Sequence, residues 1–115
     1  MAEIDIQSAF RGRLRYIAPS VVMVAIPNAG KRTVWQQRQV KREGISSGFP
    51  DCICMWPGGI AFIEFKTPKG RISDNQREWL DRLTGWGFRA SVARSADEAF
   101  DFLRECGAPV VGRAA

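Results

Sequence analysis

Hydrophobic positions near the start of the chain recur at helical intervals. Ile6, Phe10, Leu14 and Ile17 are three or four residues apart, so they share one face, and the spacing predicts a helix from Ala2 to about Ile17. Glu3 and Gln7 lie on the same stripe. Val21 to Ile26 (VVMVAI) is a continuous β-branched run stopped by Pro27, which predicts a strand buried on both faces. From Asn28 to Phe49 the pattern lapses, with Gly30, Gly44, Ser46, Ser47 and Gly48 interrupting a basic stretch. A long loop is expected there, with room for a short helix around Trp35 to Val40. Asp51 to Trp56 reads as a strand, Pro57-Gly58-Gly59 as a tight turn, and Ile60 to Lys66 as the hairpin partner. Pro68 and Gly70 end that pair. Ser73 opens a helix with Trp79, Leu80, Leu83 and Trp86 as its apolar positions, and Gly85 and Gly87 bracket its end. Phe88 to Val92 predicts another strand. Ser95 caps a last helix through Cys106, with Ala99, Phe102 and Leu103 facing inward.

The order helix, strand, strand, strand, helix, strand, helix gives an α/β fold, a mixed β-sheet flanked by helices. The length of 115 residues, with 45% hydrophobic and 25% charged positions, suits one domain and is too short for two sizeable cores. We place that domain at residues 1–106 and expect a flexible tail over 107–115. No repeat, low-complexity tract or Walker-type phosphate loop interrupts it.

Charge and rare residues narrow the chemistry. Seventeen Lys and Arg against twelve Asp and Glu leave a formal charge of +5, which favours an anionic partner, nucleic acid first. His is absent, which removes the usual general base, histidine triads and His-containing metal sites. Three cysteines make an odd count, and Cys52 and Cys54 alternate on an apolar strand, so reduced core thiols are expected rather than a disulfide framework or a zinc site. No apolar run approaches the roughly 20 residues that cross a bilayer, and MAEIDIQSAF does not resemble an export signal. The expectation is a soluble, unexported chain in the cytoplasm of a bacterium or a phage-infected cell.

One stretch carries chemistry. Thirteen positions after Asp51 comes Glu64-Phe65-Lys66. Residues two apart on a strand share a face, so Glu64 and Lys66 project together, and the hairpin brings Asp51 near them. Both charges sit in an apolar strand, IAFIEFK, where an unpaired charge is costly to bury. A cross-strand salt bridge at the sheet's end would satisfy them. So would a divalent metal: two carboxylates make a hard oxygen site suited to Mg²⁺, and a neighbouring lysine can hold or deprotonate an attacking water. Phosphodiester hydrolysis then needs no histidine.

Pro50-Asp51 with Glu64-x-Lys66 resembles the PD-(D/E)xK nuclease superfamily, and the surrounding pattern resembles its VRR-NUC branch, the virus-type replication and repair nucleases. Glu3 and Gln7 are similar to that branch's early Glu and Gln. Ile26-Pro27-Asn28-Ala29-Gly30 resembles its Pro-Asn-x-Gly segment, Gly48-Phe49-Pro50-Asp51 its Gly-x-Pro-Asp, Phe62 to Lys66 its metal strand, and Ile72 to Gln76 its leucine-serine-x-x-Gln helix start. The likeness runs from Glu3 to Leu103. It implies a restriction-endonuclease-like αβββαβ core with an added C-terminal helix.

The resemblance further implies that Asp51, Glu64 and the main-chain carbonyl of Phe65 bind Mg²⁺ or Mn²⁺, with Lys66 as catalytic lysine and Glu3 reaching toward the metal or its waters. A carboxylate near a helix N-terminus is also favoured by the macrodipole, which alone accounts for Glu3. Gln76 completes a capping box with Ser73, and the family places it beside the lysine. Ser95-x-x-Glu98 has the same box with no such role. Basic residues fall in three groups: Arg11, Arg13 and Arg15; the stretch from Lys31 to Arg42, with Lys31, Arg32 and Arg38 as candidate DNA contacts; and Lys69 with Arg71 just after the metal strand. Any one group could equally be a solvated face. Trp35 and Gln36-Gln37 could touch nucleotides, or Trp35 could pack on the body. Together these imply a metal-dependent DNA endonuclease, structure-selective for branched or Holliday-junction-like DNA and homodimeric by analogy. A flap or single-strand-end nuclease and a non-catalytic DNA-binding subunit are the alternatives.

Overall fold

The computed structural model describes residues 2–27, 38, 42, 44 and 46–112. Over these the elements are α1 (Glu3–Ile17), β1 (Val22–Ala25), β2 (Cys52–Trp56), β3 (Gly59–Phe65), α2 (Asp74–Gly85), β4 (Arg89–Ala93) and α3 (Ala96–Glu105). The four strands form one sheet in the order β1-β2-β3-β4, antiparallel except for the parallel β3–β4 pair. Helix α2 makes the crossover that a parallel pair requires. Each strand lies within about a residue of its expected bounds, and the mixed α/β class holds.

The β2–β3 hairpin closes on Trp56 opposite Gly59, so the turn itself is Pro57-Gly58. Proline followed by a glycine at φ 91° is the type II order, in which the second central residue needs a positive φ. Gly59 is glycine for another reason: the Trp56 indole lies where its Cβ would be.

Side chains alternate across β3, and the two faces differ. Ala61, Ile63 and Phe65 join Cys52 and Cys54 in the apolar core beneath α1 and α3. There the Phe10 ring lies 5.6 Å from Phe65 and 4.9 Å from Phe100, all three fully buried. Each such ring contributes about 1.5–3 kcal/mol by leaving water. Phe62 points the other way, into an edge-to-face group of Phe49, Phe62, Trp79 and Phe88 under α2. Cys52 and Cys54 are free thiols with no exposed surface.

At the start of α1, the Asp5 carboxylate accepts the Ala2 N–H at 2.9 Å. Arg13 reaches Asp97 of α3 at 2.9 Å, an exposed pair worth about 0–1 kcal/mol. Gly12 sits mid-helix with nothing described within 4 Å of a Cβ built there. Glycine there costs the helix about 1 kcal/mol relative to alanine, and packing within the described chain does not account for it.

Two expectations need correction. β1 is not buried on both faces: Val22 is 60% and Val24 41% exposed. It lies at one edge of the described sheet, and α2 packs over β4 at the far side. A β-branched run signals a strand without saying how central it is. Trp86 is 64% exposed because it caps α2 from beyond the last turn. Beyond α3 the chain returns to the end of α1. Val111 and Gly112 donate backbone N–H groups to the Ile17 carbonyl at 2.7 and 3.2 Å, and Arg104 donates to the Gly112 carbonyl at 2.7 Å. Residues 113–115 lie outside the described chain.

Candidate active site at the end of the sheet

The β2–β3 register pairs Cys52 with Ile63. One step further sets Asp51 across from Glu64, and the next sets Pro50 across from Phe65. Backbone bonds identify the kind of pair. Ile26 N–H donates outward to the Asp51 carbonyl at 2.8 Å, and Lys66 N–H donates to Ala93 on the opposite side at 3.0 Å. Asp51 and Glu64 therefore form a non-hydrogen-bonded pair, the arrangement that brings side chains closest. Their carboxyls share one face, with Lys66 two residues along β3's line on that same face.

The neighbouring position explains the proline. Phe65 N–H points toward β2 but finds the Asp51 side chain, donating to Oδ2 at 2.7 Å. The Phe65 carbonyl points the same way, and Pro50 has no N–H to offer it. Proline at 50 thus leaves a carbonyl oxygen beside two carboxylates.

Each charge is held by a named neighbour. Glu64 is 2% exposed, and its Oε2 accepts from Gln76 Nε2 at 3.0 Å. Gln76 Oε1 accepts the Ser73 N–H at 2.9 Å while Ser73 Oγ accepts the Gln76 N–H at 3.2 Å. Because the Ser73 amide can only donate, the side-chain amide of Gln76 must turn its NH₂ toward Glu64. The capping box and the site contact are therefore one feature. Lys66 is 9% exposed, and its Nζ lies 3.7 Å from Glu3 Oε2. Gln7, on the same side of α1, is half-buried.

Burial raises the Asp51 carboxyl above its ordinary range, opposed by the Phe65 N–H bond and by contact with Glu64. Burial first, and the charge of Asp51 second, push Glu64 up to about 9. Two carboxyls this close cannot both carry charge cheaply, so at neutral pH the pair keeps a proton unless a cation replaces it. The donors fit a hard cation: two carboxylates and a main-chain oxygen. Among the described residues no group of three or more His, Cys, Asp or Glu converges; Glu3 faces Lys66, and its charge helps to raise both Asp51 and Glu64. A small protein ligand set suits Mg²⁺ or Mn²⁺, which retain waters. A recess of about 30 Å³ opens on Asp51, Glu64 and Gln76, with Ile26, Pro27 and Phe49 along its wall. It exceeds the ~10–15 Å³ that one water needs.

Arg94, which the sequence does not single out, and Gly48, read there only as a motif member, both position this site. Arg94 Nη1 donates to the carbonyls of Thr67 at 2.7 Å and Gly70 at 2.8 Å, clamping the turn between Lys66 and Arg71. Gly48, at φ 85°, lies so close to α2 that a Cβ would fall 2.6 Å from the Asn75 carbonyl carbon. This contact seats the start of α2 against the Gly48–Asp51 loop. Lys69, within the clamped turn, and Arg71, just after it, are exposed, and Arg38 is also exposed. Lys31, Arg32, Trp35, Gln36, Gln37, the Asn28–Gly30 segment and most of the helix expected near 35–40 lie outside the described residues.

With this geometry established, comparison identifies relatives. A family model described as "VRR-NUC domain" matches residues 4–97. A solved structure described as "VRR_NUC domain protein" superposes with a TM-score of 0.73 at 18% identity, over 92% of this chain and 88% of that one. A second, described as "VRR_NUC domain", gives 0.62 at 21% identity, over 90% and 94%. At such identities the structures speak to the fold. No curated protein matches the chain. No described helix is long and apolar enough to cross a membrane. The family match spans most of the chain and contains every element that builds the paired carboxylates, so the chain belongs to the VRR-NUC family, with the nuclease-type, DNA-processing function that membership implies.

Proposed function

We propose that this chain is a Mg²⁺- or Mn²⁺-dependent endonuclease that hydrolyses phosphodiester bonds in DNA. The observation that carries the reading is the pairing of Asp51 with Glu64 on facing strands, both with raised pKa values and with Lys66 buried beside them. Asp51, Glu64 and the Phe65 carbonyl would hold the cation, which when bound supplies positive charge at the scissile phosphate and acidifies the attacking water.

The chain's own groups do the rest. Lys66 holds the nucleophilic water by hydrogen bonding and offsets the charge that grows on the phosphate in the transition state. Glu3, 3.7 Å from Lys66 Nζ, keeps that amine aimed. Gln76 fixes the Glu64 carboxyl. Lys69 and Arg71, on the turn clamped by Arg94, bind the phosphates flanking the cut.

For substrate we propose branched duplex DNA, and for assembly a homodimer. Each chain offers one such site, and resolving a junction requires cuts in two strands, which a twofold pair supplies. The test is cleavage of a labelled four-way junction, a flap and a linear duplex with Mg²⁺, Mn²⁺ or EDTA, alongside light scattering. Metal-dependent cuts in the junction exceeding those in linear duplex support the full reading. Binding without cleavage in either metal would replace it with a DNA-binding subunit, and cuts confined to the flap would replace the substrate.

A further inference from the structure

One helix row leads out of the active site. Glu3, Gln7, Arg11 and Arg15 are spaced by four on α1 and therefore form a single ridge, about 18 Å long at 1.5 Å per residue. It begins at the Lys66 contact and changes from acidic to neutral to basic as it leaves. Beside its basic half, Ser8, Arg11, Gly12 and Arg15 line an open recess of about 480 Å³.

Three features mark this face. Arg13, Arg82 and Arg104 are each neutralised by a carboxylate at 2.9–3.0 Å, whereas Arg11 and Arg15, like Arg71, Arg77 and Arg89, meet none among the described residues. Arg15 leans on the Tyr16 ring, a contact that leaves its charge uncancelled. Gly12 weakens the helix and touches nothing described. A glycine between two arginines and a serine lets another backbone approach a helix closely, and the charge complement of a hydroxyl and two guanidiniums that no described carboxylate neutralises is a phosphodiester strand.

We infer that this recess is a binding site for the DNA sugar–phosphate backbone, which runs along α1 away from the cut. Arg11 and Arg15 contact phosphates, Ser8 donates a hydroxyl, and Gly12 admits the strand to the helix surface. From Ser8 to Arg15 is about 10 Å, a reach that suits two successive phosphates of one strand, one for each arginine. The site reads no bases. It sets how far duplex must extend from the scissile bond, and thus rests on the nuclease reading above.

The test measures binding of a fluorescein-labelled duplex in EDTA across a salt series, for wild type, Arg11→Ala/Arg15→Ala and Gly12→Leu, with melting temperatures. Removing two phosphate contacts should make the slope of log K against log salt shallower by about 2, at ~0.9 per contact. Gly12→Leu should melt at or above the wild-type temperature, since leucine is the better helix former, and yet lose affinity. A destabilised helix could not produce that combination. An unchanged slope in the double variant, or wild-type affinity in Gly12→Leu, would overturn the inference while wild-type metal-dependent cleavage kept the nuclease reading standing. Wild-type protein that neither binds nor cuts DNA would overturn both.

Discussion

The two faces of β3 are built from the same backbone and solve opposite problems. Ala61, Ile63 and Phe65 are at most 1% exposed among apolar neighbours, where burial itself stabilises. Glu64 and Lys66, 2% and 9% exposed, are buried just as deeply where burial is unfavourable. The site face survives because Gln76 holds Glu64, Glu3 faces Lys66 and the Asp51–Glu64 pair keeps a proton, and because Phe10, Phe65 and Phe100 supply stability on the reverse side. Stability and chemistry are thus separable by parity along one strand.

That separation can be broken most severely at the charges. Lys66→Ala or Glu64→Ala should lower cleavage about 10³-fold or more, comparable to the loss of a major transition-state stabiliser, while leaving the circular dichroism spectrum native. Near-normal rates in either would show that the site lies elsewhere. Phe10→Ala should do the reverse. A fully buried ring lost from between Phe65 and Phe100 should cost about 3–5 kcal/mol of unfolding free energy. Measured at a temperature where the variant remains folded, its cleavage rate should stay within severalfold of wild type. Loss of activity without loss of stability would mean that the two faces are coupled.

How legible this division was depends on the residue. Asp51, Glu64 and Lys66 stood out because charges in an apolar strand violate patterning, and period two places 64 and 66 together whatever the tertiary fold. The core face was legible from the spacing of Ile6, Phe10, Leu14 and Ile17. Phe100 was not, since its neighbours Phe102 and Leu103 fit the helical stripe first, yet all three are buried. Arg94 left no local signal either. Its role exists only once β4 lies parallel to β3 and brings it to a turn 24 to 27 residues earlier in the chain. Gly48 was noticed as a motif member, but its reason, the approach to Asn75, belongs to the packed state. Gln76 was legible as a cap or as a site residue. The structure makes these one arrangement.

A third prediction uses pH to set the faces against each other. In protein stripped of divalent ions, Glu64 has a folded-state pKa pushed up to about 9 from an ordinary 4.5. A raised acid means the native state binds its proton more tightly than the unfolded chain does. The associated stability is complete below pH ~4.5 and is lost as pH rises toward about 9. The urea midpoint should therefore fall across that window. Glu64→Gln, which cannot ionise, should flatten the fall, and saturating Mg²⁺ or Mn²⁺ should reduce it by taking the proton's place. A wild-type midpoint that rises across the window would contradict the buried-pair electrostatics.

The smallest and sharpest test concerns Gln76, which serves both helix and site. Gln76→Ala removes the acceptor for Ser73 N–H and the donor to Glu64, so about 1 kcal/mol of stability and at least a tenfold share of the rate should go together. Gln76→Glu divides the two. Glutamate at this position of a capping box still accepts the Ser73 N–H, so the start of α2 is preserved. Its second oxygen, however, meets Glu64 Oε2 where an NH₂ now donates at 3.0 Å. The new carboxylate adds negative charge to a pair that already resists ionising together, and it cannot orient Glu64 unless it is itself protonated. Cleavage at neutral pH should then fall at least as far as in Gln76→Ala and recover partly as the pH is lowered, a response the alanine variant cannot give. Equal wild-type rates in Gln76→Glu would reduce Gln76 to a helix cap and would mean that Glu64 is oriented by the strand alone.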